Sequence, residues 1–290
     1  MYLLNLLHKV SDLPFKTFNL LKRIISRSSP FSQSEKKSDS EGTFYEKAID
    51  VILTSNSEFS RFRRKYNYRE ILEHVDFRLG RKYLLKIQEL DPSLESAKMD
   101  FKRNDVIGKP RRYKYPTFGY ISPTTLRYIS VALDIKREID LTNVNKVVEI
   151  GAGYGGQAAI LEKYIADMNY FIFDLPQVQK LIQKYLAKVG VKEVTYLNLL
   201  NFEPKEFDLV VSNYAFSELP KELQIEYLEK VLLKSKNGYL IMNSGHGNTT
   251  GRSKGKITLK ELSQRIPGLM VKEEDPLTSP DNYVIFWHAS

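Results

Sequence analysis

At 290 residues with 42% apolar side chains, the chain is large and apolar enough to bury a real core, which excludes a disordered or low-complexity protein. It holds no cysteine, which excludes disulfides and thiolate metal sites and is compatible with a reducing compartment. The net charge of +9 is unevenly placed: residues 1–140 carry 27 Lys and Arg against 18 Asp and Glu, and residues 141–290 carry 17 of each, so the front half should face an anionic partner such as phosphate groups, a membrane surface or nucleic acid.

Residues 1–27 predict an amphipathic basic helix interrupted at Pro14. Leu3, Leu4, Leu7 and Val10, then Phe18, Leu21, Ile24 and Ile25, recur at helical spacing, with Lys16, Lys22, Arg23 and Arg27 among them. Asn5, His8, Lys9 and Asp12 break the apolar run well short of a membrane span, and no cleavage site follows an unbroken apolar core. Such a helix suits peripheral contact with an anionic membrane, or packing on its own domain or on a second subunit in a homo-oligomer. The expected setting is therefore the cytoplasm, with the inner face of the membrane as an alternative. Residues 28–42 (SSPFSQSEKKSDSEG) read as a polar linker.

Residues 43–130 predict a mainly helical region. Within it, residues 59–69 (FSRFRRKYNYR) interleave five basic side chains with four aromatics. That mixture suits single-stranded nucleic acid, or the phosphates of a nucleotide-sugar or lipid-linked glycan. It equally suits a solvated helix face with its aromatics turned into a core. No RNA-binding signature accompanies the run, so nucleic acid is not the expected partner. In residues 106–130, Pro110, Pro116, Gly119 and Pro123 mark a loop that enters a helix, with Ser122 as N-cap and Pro123 at the first helical position. This piece precedes the next strand directly and is placed to cover whatever that strand binds. Tyr120, Ser122, Thr125 and Arg127 are its polar groups, and Arg127 suits a carboxylate or another substrate anion.

Residues 146–157 read KVVEIGAGYGGQ, a buried β-branched strand that ends in a glycine-rich turn opening a helix. Glycines at 151, 153, 155 and 156 allow positive φ and a close ligand approach, and the helix start offers free N–H groups. The spacing Gly151-x-Gly153-x-x-Gly156, with Asp174 downstream, satisfies a dinucleotide fingerprint. Glu149 argues otherwise, because a carboxylate at the strand tip repels a pyrophosphate and favours ammonium and sulfonium charge. Glu149-x-Gly151-x-Gly153-x-Gly155 resembles the first motif of class I methyltransferases dependent on S-adenosylmethionine (SAM), and SAM is the expected cofactor.

From residue 146 onward strands and helices alternate. Strands are expected at 146–150, 170–174, 194–198, 207–213, 239–243, 269–274 and 282–288. Helices are expected at 155–166, 176–189, 221–234 and 258–265, with Asn237-Gly238 as a turn into the fifth strand. The fold class is therefore α/β: a Rossmann-like seven-stranded class I methyltransferase sheet over residues 131–290, preceded by the helical region. Expected cofactor contacts are Glu149, Gly151, Ala152, Gly153 and Gly155 at the turn, and Asp174 on the ribose hydroxyls. Leu175, Asn198 and Leu199 are expected at the adenine, Ser212 and Asn213 near the sulfonium, and Tyr120 and Arg127 in the cover.

Several blocks in this order are similar to the sugar O-methyltransferases of bacterial surface-polysaccharide clusters: SPTTLRYI, VVEIGAGYGGQA, IFDLPQV, DLVVSNYAFSELP, GYLIMNSG and EEDPLTSPDNYVIFWH. They cover residues 105–290, and the resemblance implies SAM as methyl donor and a sugar hydroxyl as acceptor, whether on a glycan, a nucleotide-sugar or a lipid-linked sugar. The alternatives are methylation of a small natural product and a non-catalytic module that recruits a glycan-assembly complex. In-line methyl transfer to a hydroxyl needs close positioning and a base. His246 and Glu218 are the candidates, with Asp281 a distant third, while Glu218 also reads as a helix N-terminal carboxylate with Ser217 as cap. Tyr214, Asn243, Asn248, Thr278 and Asn282 are expected to meet the acceptor. His8, His74 and His288 read as structural or surface residues, and no acidic pair at ligand spacing suggests a metal.

Overall fold

The computed structural model describes residues 43–66, 68–69, 73, 75–243, 255–280 and 282–288. The helix expected at 1–27, the linker at 28–42, and His8, His74, His246, Asn248 and Asp281 lie outside them. Seven strands form one sheet: β3 (Lys146–Ile150), β4 (Asn169–Phe173), β5 (Val194–Leu197), β6 (Phe207–Asn213), β7 (Ser235–Met242), β8 (Met270–Glu273) and β9 (Tyr283–Trp287). Their order is β5-β4-β3-β6-β7-β9-β8. The first five are mutually parallel, and β9 runs antiparallel between β7 and β8. This is the seven-stranded α/β sheet expected from the sequence.

The parallel strands read as continuous apolar runs because both sheet faces are covered. On β3, Val147 joins a core with Ile129 of α4 (Pro123–Glu138), Ala158 of α5 (Gly156–Leu161) and Ile182 of α6 (Pro176–Val189). Val148 and Ile150 face the other side, in a core with Leu228 of α8 (Lys221–Lys230) and Leu262 of α9 (Leu259–Arg265). Period-two alternation thus splits one strand between two cores. Helix α9 begins with a capping box, Thr258 and Glu261 each bonding the other's backbone N–H.

The front region supplies α1 (Thr43–Leu53), α2 (Asn56–Ser60) and α3 (Phe77–Leu90), and these pack into the same core as the first sheet face through Ile49, Phe59 and Ile87. Ser122 caps α4 as expected, its Oγ accepting from the Thr125 N–H at 3.2 Å, and Pro123 takes the first helical position. Every α4 residue from position 123 to 135 is buried. Residues 59–69 follow the core reading in part: Phe59, Phe62 and Tyr68 are buried, but Tyr66 is exposed and the basic Arg63 is buried.

Two local expectations are corrected. Residues 113–121 form a hairpin of β1 (Tyr113–Tyr115) and β2 (Gly119–Ile121) within the expected loop, because Pro116 and the positive φ of Thr117 and Gly119 reverse the chain between two aromatic-rich triplets. Asn237 and Gly238 are not a turn but lie inside β7. Gly238 is needed there because a Cβ would lie 2.2 Å from the Trp287 ring on β9.

Candidate functional site

The strand order reverses between β3 and β6, so their carboxyl ends border the crevice where such sheets hold ligands. Gly151, Gly153 and Gly155 leave β3 with φ of +75°, +64° and +89°. At Gly151 a Cβ would fall 2.1 Å from the Ala215 Cβ of α7 (Ala215–Glu218), and at Gly156 one would fall 2.4 Å from the Tyr128 ring. Close packing of the two strand ends therefore demands bare backbone, whatever ligand enters.

Two carboxylates flank this turn. Glu149 is 1% exposed and accepts a 2.8 Å hydrogen bond from the Tyr170 hydroxyl. Burial pushes its carboxyl up to about 8; the Tyr170 bond opposes this, and the Asp174 charge adds to it. Asp174 accepts from the N–H groups of Leu175 (2.8 Å) and Gly153 (3.3 Å) at the end of β4. Burial pushes it up to about 7 against those amide bonds. Burial first, and then the Asp174 charge, hold the Tyr45 phenol of α1 well above its usual range.

On the β6 side, Ser212 Oγ donates to the Ile150 carbonyl (2.9 Å) and accepts from the Phe216 N–H (3.1 Å), tying the two strand tips together. Asn213 Nδ2 donates to Gln157 Oε1 at 3.3 Å, while its buried Oδ1 has no hydrogen-bond partner among the described residues. Tyr214 holds φ +72°, a strained value for a non-glycine residue. Its hydroxyl donates to Glu274, whose other oxygen accepts from Thr278 Oγ1 (2.6 Å) and Asn282 Nδ2 (3.0 Å). Arg127 is 6% exposed; its guanidinium lies 5.1 Å from the Tyr128 ring centre and 6.0 Å from that of Tyr214, and among the described residues its Nε has no hydrogen-bond partner.

The residues expected at the site fall into three groups. Glu149, the bare turn with the buried Ala152, Asp174, Ser212, Asn213, Arg127 and Tyr214 line the two strand ends or adjoin them, and Thr278 and Asn282 join through Glu274. Glu218 and Asn243 meet each other, Asn243 Nδ2 donating to Glu218 Oε1 at 2.8 Å while Asn243 Oδ1 accepts from Ser217 at 2.7 Å. Ser217 caps no helix; Pro220 holds the N-cap position of α8, because Ser217 bonds the Tyr214 carbonyl and Asn243 instead. Elsewhere, Leu175 packs half-buried against the first core, Leu199 lies in the second, and the exposed Asn198 spends its side chain on the Leu200 N–H (3.0 Å). Tyr120 lines an outer groove that contains neither Asp174 nor Arg127. His288 is exposed.

Tyr45, Tyr170 and Glu274 were not anticipated. Tyr45 is distant in sequence and carries no motif, and Tyr170 read only as a strand residue. Glu274 lies within EEDPLTSPDN, where two side chains that bond it, Thr278 and Asn282, follow within eight positions. Among the described residues no cluster of three metal-ligating side chains occurs, and no helix is long and apolar enough to cross a membrane.

No protein-family model and no curated protein matches the chain. Among solved structures, it is similar to the mitomycin 7-O-methyltransferase MmcR at 13% identity and a TM-score of 0.43, covering 58% of this chain and 56% of that one. The pyocyanin biosynthetic protein PhzM matches at 12% identity and a TM-score of 0.43, over 58% and 56% of the two chains. A SAM-dependent methyltransferase from Aquifex aeolicus matches at 16% identity and a TM-score of 0.40, over 54% and 88%. The chain thus spans just over half the length of the first two. These likenesses are distant, and the fold stands on its own strand order.

Proposed function

We propose that the chain is a SAM-dependent O-methyltransferase whose acceptor is a sugar hydroxyl. One observation carries the cofactor reading: the buried Glu149 and the half-buried Asp174 flank one glycine turn, and beside it the buried Arg127 Nε and Asn213 Oδ1 have no hydrogen-bond partner among the described residues. Such a set matches an α-amino acid group attached to a cation. Arg127 suits the ligand's carboxylate, Asn213 Oδ1 and Glu149 suit its positive charge, and Asp174 suits a pair of ribose hydroxyls. A cationic ligand draws both carboxyls into their charged form, whereas a dinucleotide's pyrophosphate would keep them protonated and gain no attraction from them. Bound SAM would supply an electrophilic methyl group on its sulfonium.

The chain's own residues then have to hold the acceptor hydroxyl in line, exclude water and take up a proton. Glu218, oriented by Asn243, is the described candidate for the proton, with His246 the second. Tyr214, Thr278, Asn282 and Glu274 form one hydrogen-bonded polar cluster beyond the end of β6, and the sugar acceptor rests on the sequence blocks that resemble sugar O-methyltransferases. Calorimetric titration with S-adenosylhomocysteine tests the cofactor, and transfer of labelled methyl to nucleotide-sugars and lipid-linked sugars tests the acceptor. Asp174→Ala should weaken binding about 10- to 100-fold, the worth of charged hydrogen bonds to two hydroxyls. Wild-type protein that fails to bind overturns the cofactor reading, and binding without transfer to any sugar overturns the acceptor.

A further inference from the structure

We infer that an outer groove beside the β1–β2 hairpin is a binding site for a nucleoside diphosphate. The groove has a volume of about 460 Å³, and its lining includes Arg64, Asp105, Val106, Lys109, Arg112 and Tyr120. That volume is the size of a small-molecule cleft. Arg64, Lys109 and Arg112 come from separate turns of chain, and among the described residues none of the three has an ion-pair partner. Asp105 offers them little: Oδ1 accepts from Ser122 Oγ (2.7 Å), Thr125 Oγ1 (2.7 Å) and Arg63 Nη1 (3.3 Å), and Oδ2 from the Ser122 N–H (2.6 Å). Three like charges held together without counter-charge form an anion site, and two adjacent phosphates suit its breadth.

The uncharged lining narrows the ligand. Tyr120 is 63% exposed and Val106 is 68% exposed, so an aromatic face and an apolar patch stand open beside the cations. A phenol ring offers a nucleobase a stacking surface. Longer single strands need a row of such rings, but of the four aromatics in the neighbouring basic run only Tyr66 is exposed. A prenyl chain needs more apolar surface than Val106 provides.

The groove is also built rigidly. Lys109 adopts φ +47° directly before Pro110, a conformation unfavourable in itself and in that position. The turn is held by Gly108, whose carbonyl accepts from the Arg63 N–H (3.1 Å) and where a Cβ would lie 2.7 Å from the Arg63 side chain. Arg63 is buried in ion pairs with Glu73 and Asp105 and lies 4.5 Å from the centre of the Tyr154 ring in the glycine turn. Asn104 also donates to the Tyr154 hydroxyl at 3.3 Å. The floor of the groove is thus anchored to the methyl-donor side. Binding in the groove stands on its lining alone; that the nucleotide carries the sugar to be methylated rests on the reading above.

Calorimetry on the full-length chain with UDP, GDP, ADP and CDP tests the inference, with pyrophosphate, the free nucleosides, geranyl diphosphate and a single-stranded RNA oligomer as the other arms. At least one nucleoside diphosphate should bind one to one, about tenfold or more tighter than pyrophosphate or its own nucleoside, and weaken as salt rises. Arg64→Ala with Arg112→Ala should lower that affinity about tenfold or more while S-adenosylhomocysteine affinity and the thermal midpoint hold. Tyr120→Ala should erase the advantage over pyrophosphate. The inference is overturned if no nucleoside diphosphate exceeds pyrophosphate, if the double variant binds as the wild type does, or if RNA or geranyl diphosphate binds more tightly. Nucleotide binding without S-adenosylhomocysteine binding would sink the methyl-transfer reading and leave the groove standing.

Discussion

A guanidinium buried without a carboxylate is expensive in free energy, and Arg127 sits in that condition among the rings of Tyr128 and Tyr214. Other buried polar groups of the same helix have partners: Thr124 bonds Glu73, Thr125 bonds Asp105, and Asp134 accepts from Tyr239 and forms an ion pair with Arg137. Arg127→Met should therefore leave the ligand-free protein as stable as the wild type or more so, while S-adenosylhomocysteine affinity falls about tenfold. A purely structural arginine would show the reverse in paired melting and titration experiments. The glycines separate in the same way. Gly151→Ala adds a collision with Ala215 to a left-handed φ and should cost about 1–3 kcal/mol in denaturant unfolding. At Gly190, the open left-handed residue that ends α6, alanine meets nothing and should cost only about 1 kcal/mol.

Among the elements, α1 is where packing and binding meet. It buries Tyr45, Ile49 and Ile52, it packs on α6, and Tyr45 feels the Asp174 charge. Ile49→Ala should cost about 2–4 kcal/mol by leaving a cavity. Because Tyr45 of this helix is coupled to Asp174, the same variant should weaken S-adenosylhomocysteine binding, which calorimetry below the melting range would reveal. Retained affinity in the destabilised variant would show that α1 supports the core and contributes nothing to the site. Helix α4 differs: buried along nearly its whole length, it carries Arg127 at one end and the Asp134 network with Lys86 and Lys272 at the other.

At the scale of the molecule, pH reports the paired carboxyls. Glu149 rises to about 8 from 4.5 and Asp174 to about 7 from 3.8. Both folded values lie above the unfolded ones, so the stability they contribute is complete below about pH 4 and is lost as pH climbs through 7 and 8. The lowered carboxyls Asp134, Glu138 and Asp208 keep their contribution across this window. The thermal midpoint of the ligand-free chain should thus fall between about pH 5 and pH 9. A cationic ligand favours the ionised pair, so the increment in melting temperature that SAM confers should grow over the same range. A flat increment would remove Glu149 and Asp174 from the binding site.

Local sequence determined the seven strands, the bare turn after β3 and the Ser122 cap, because strand periodicity, glycine freedom and capping act within a few residues of one another. It also brought Glu149, Asp174 and Tyr214 into view, since in a parallel sheet strand ends share one side. Whether a given glycine served a turn or a close approach was decided elsewhere: Gly238 looked like a turn until Trp287, dozens of positions later, lay across it. The electrostatic coupling of Tyr45 to Asp174, the burial of Arg63 and the gathering of Arg64, Lys109, Arg112 and Tyr120 around one groove likewise came only with the tertiary structure. Such contacts join segments whose separation in sequence carries no periodic signal, and whether a charge is buried, paired or left open to an anion depends on what the fold sets against it.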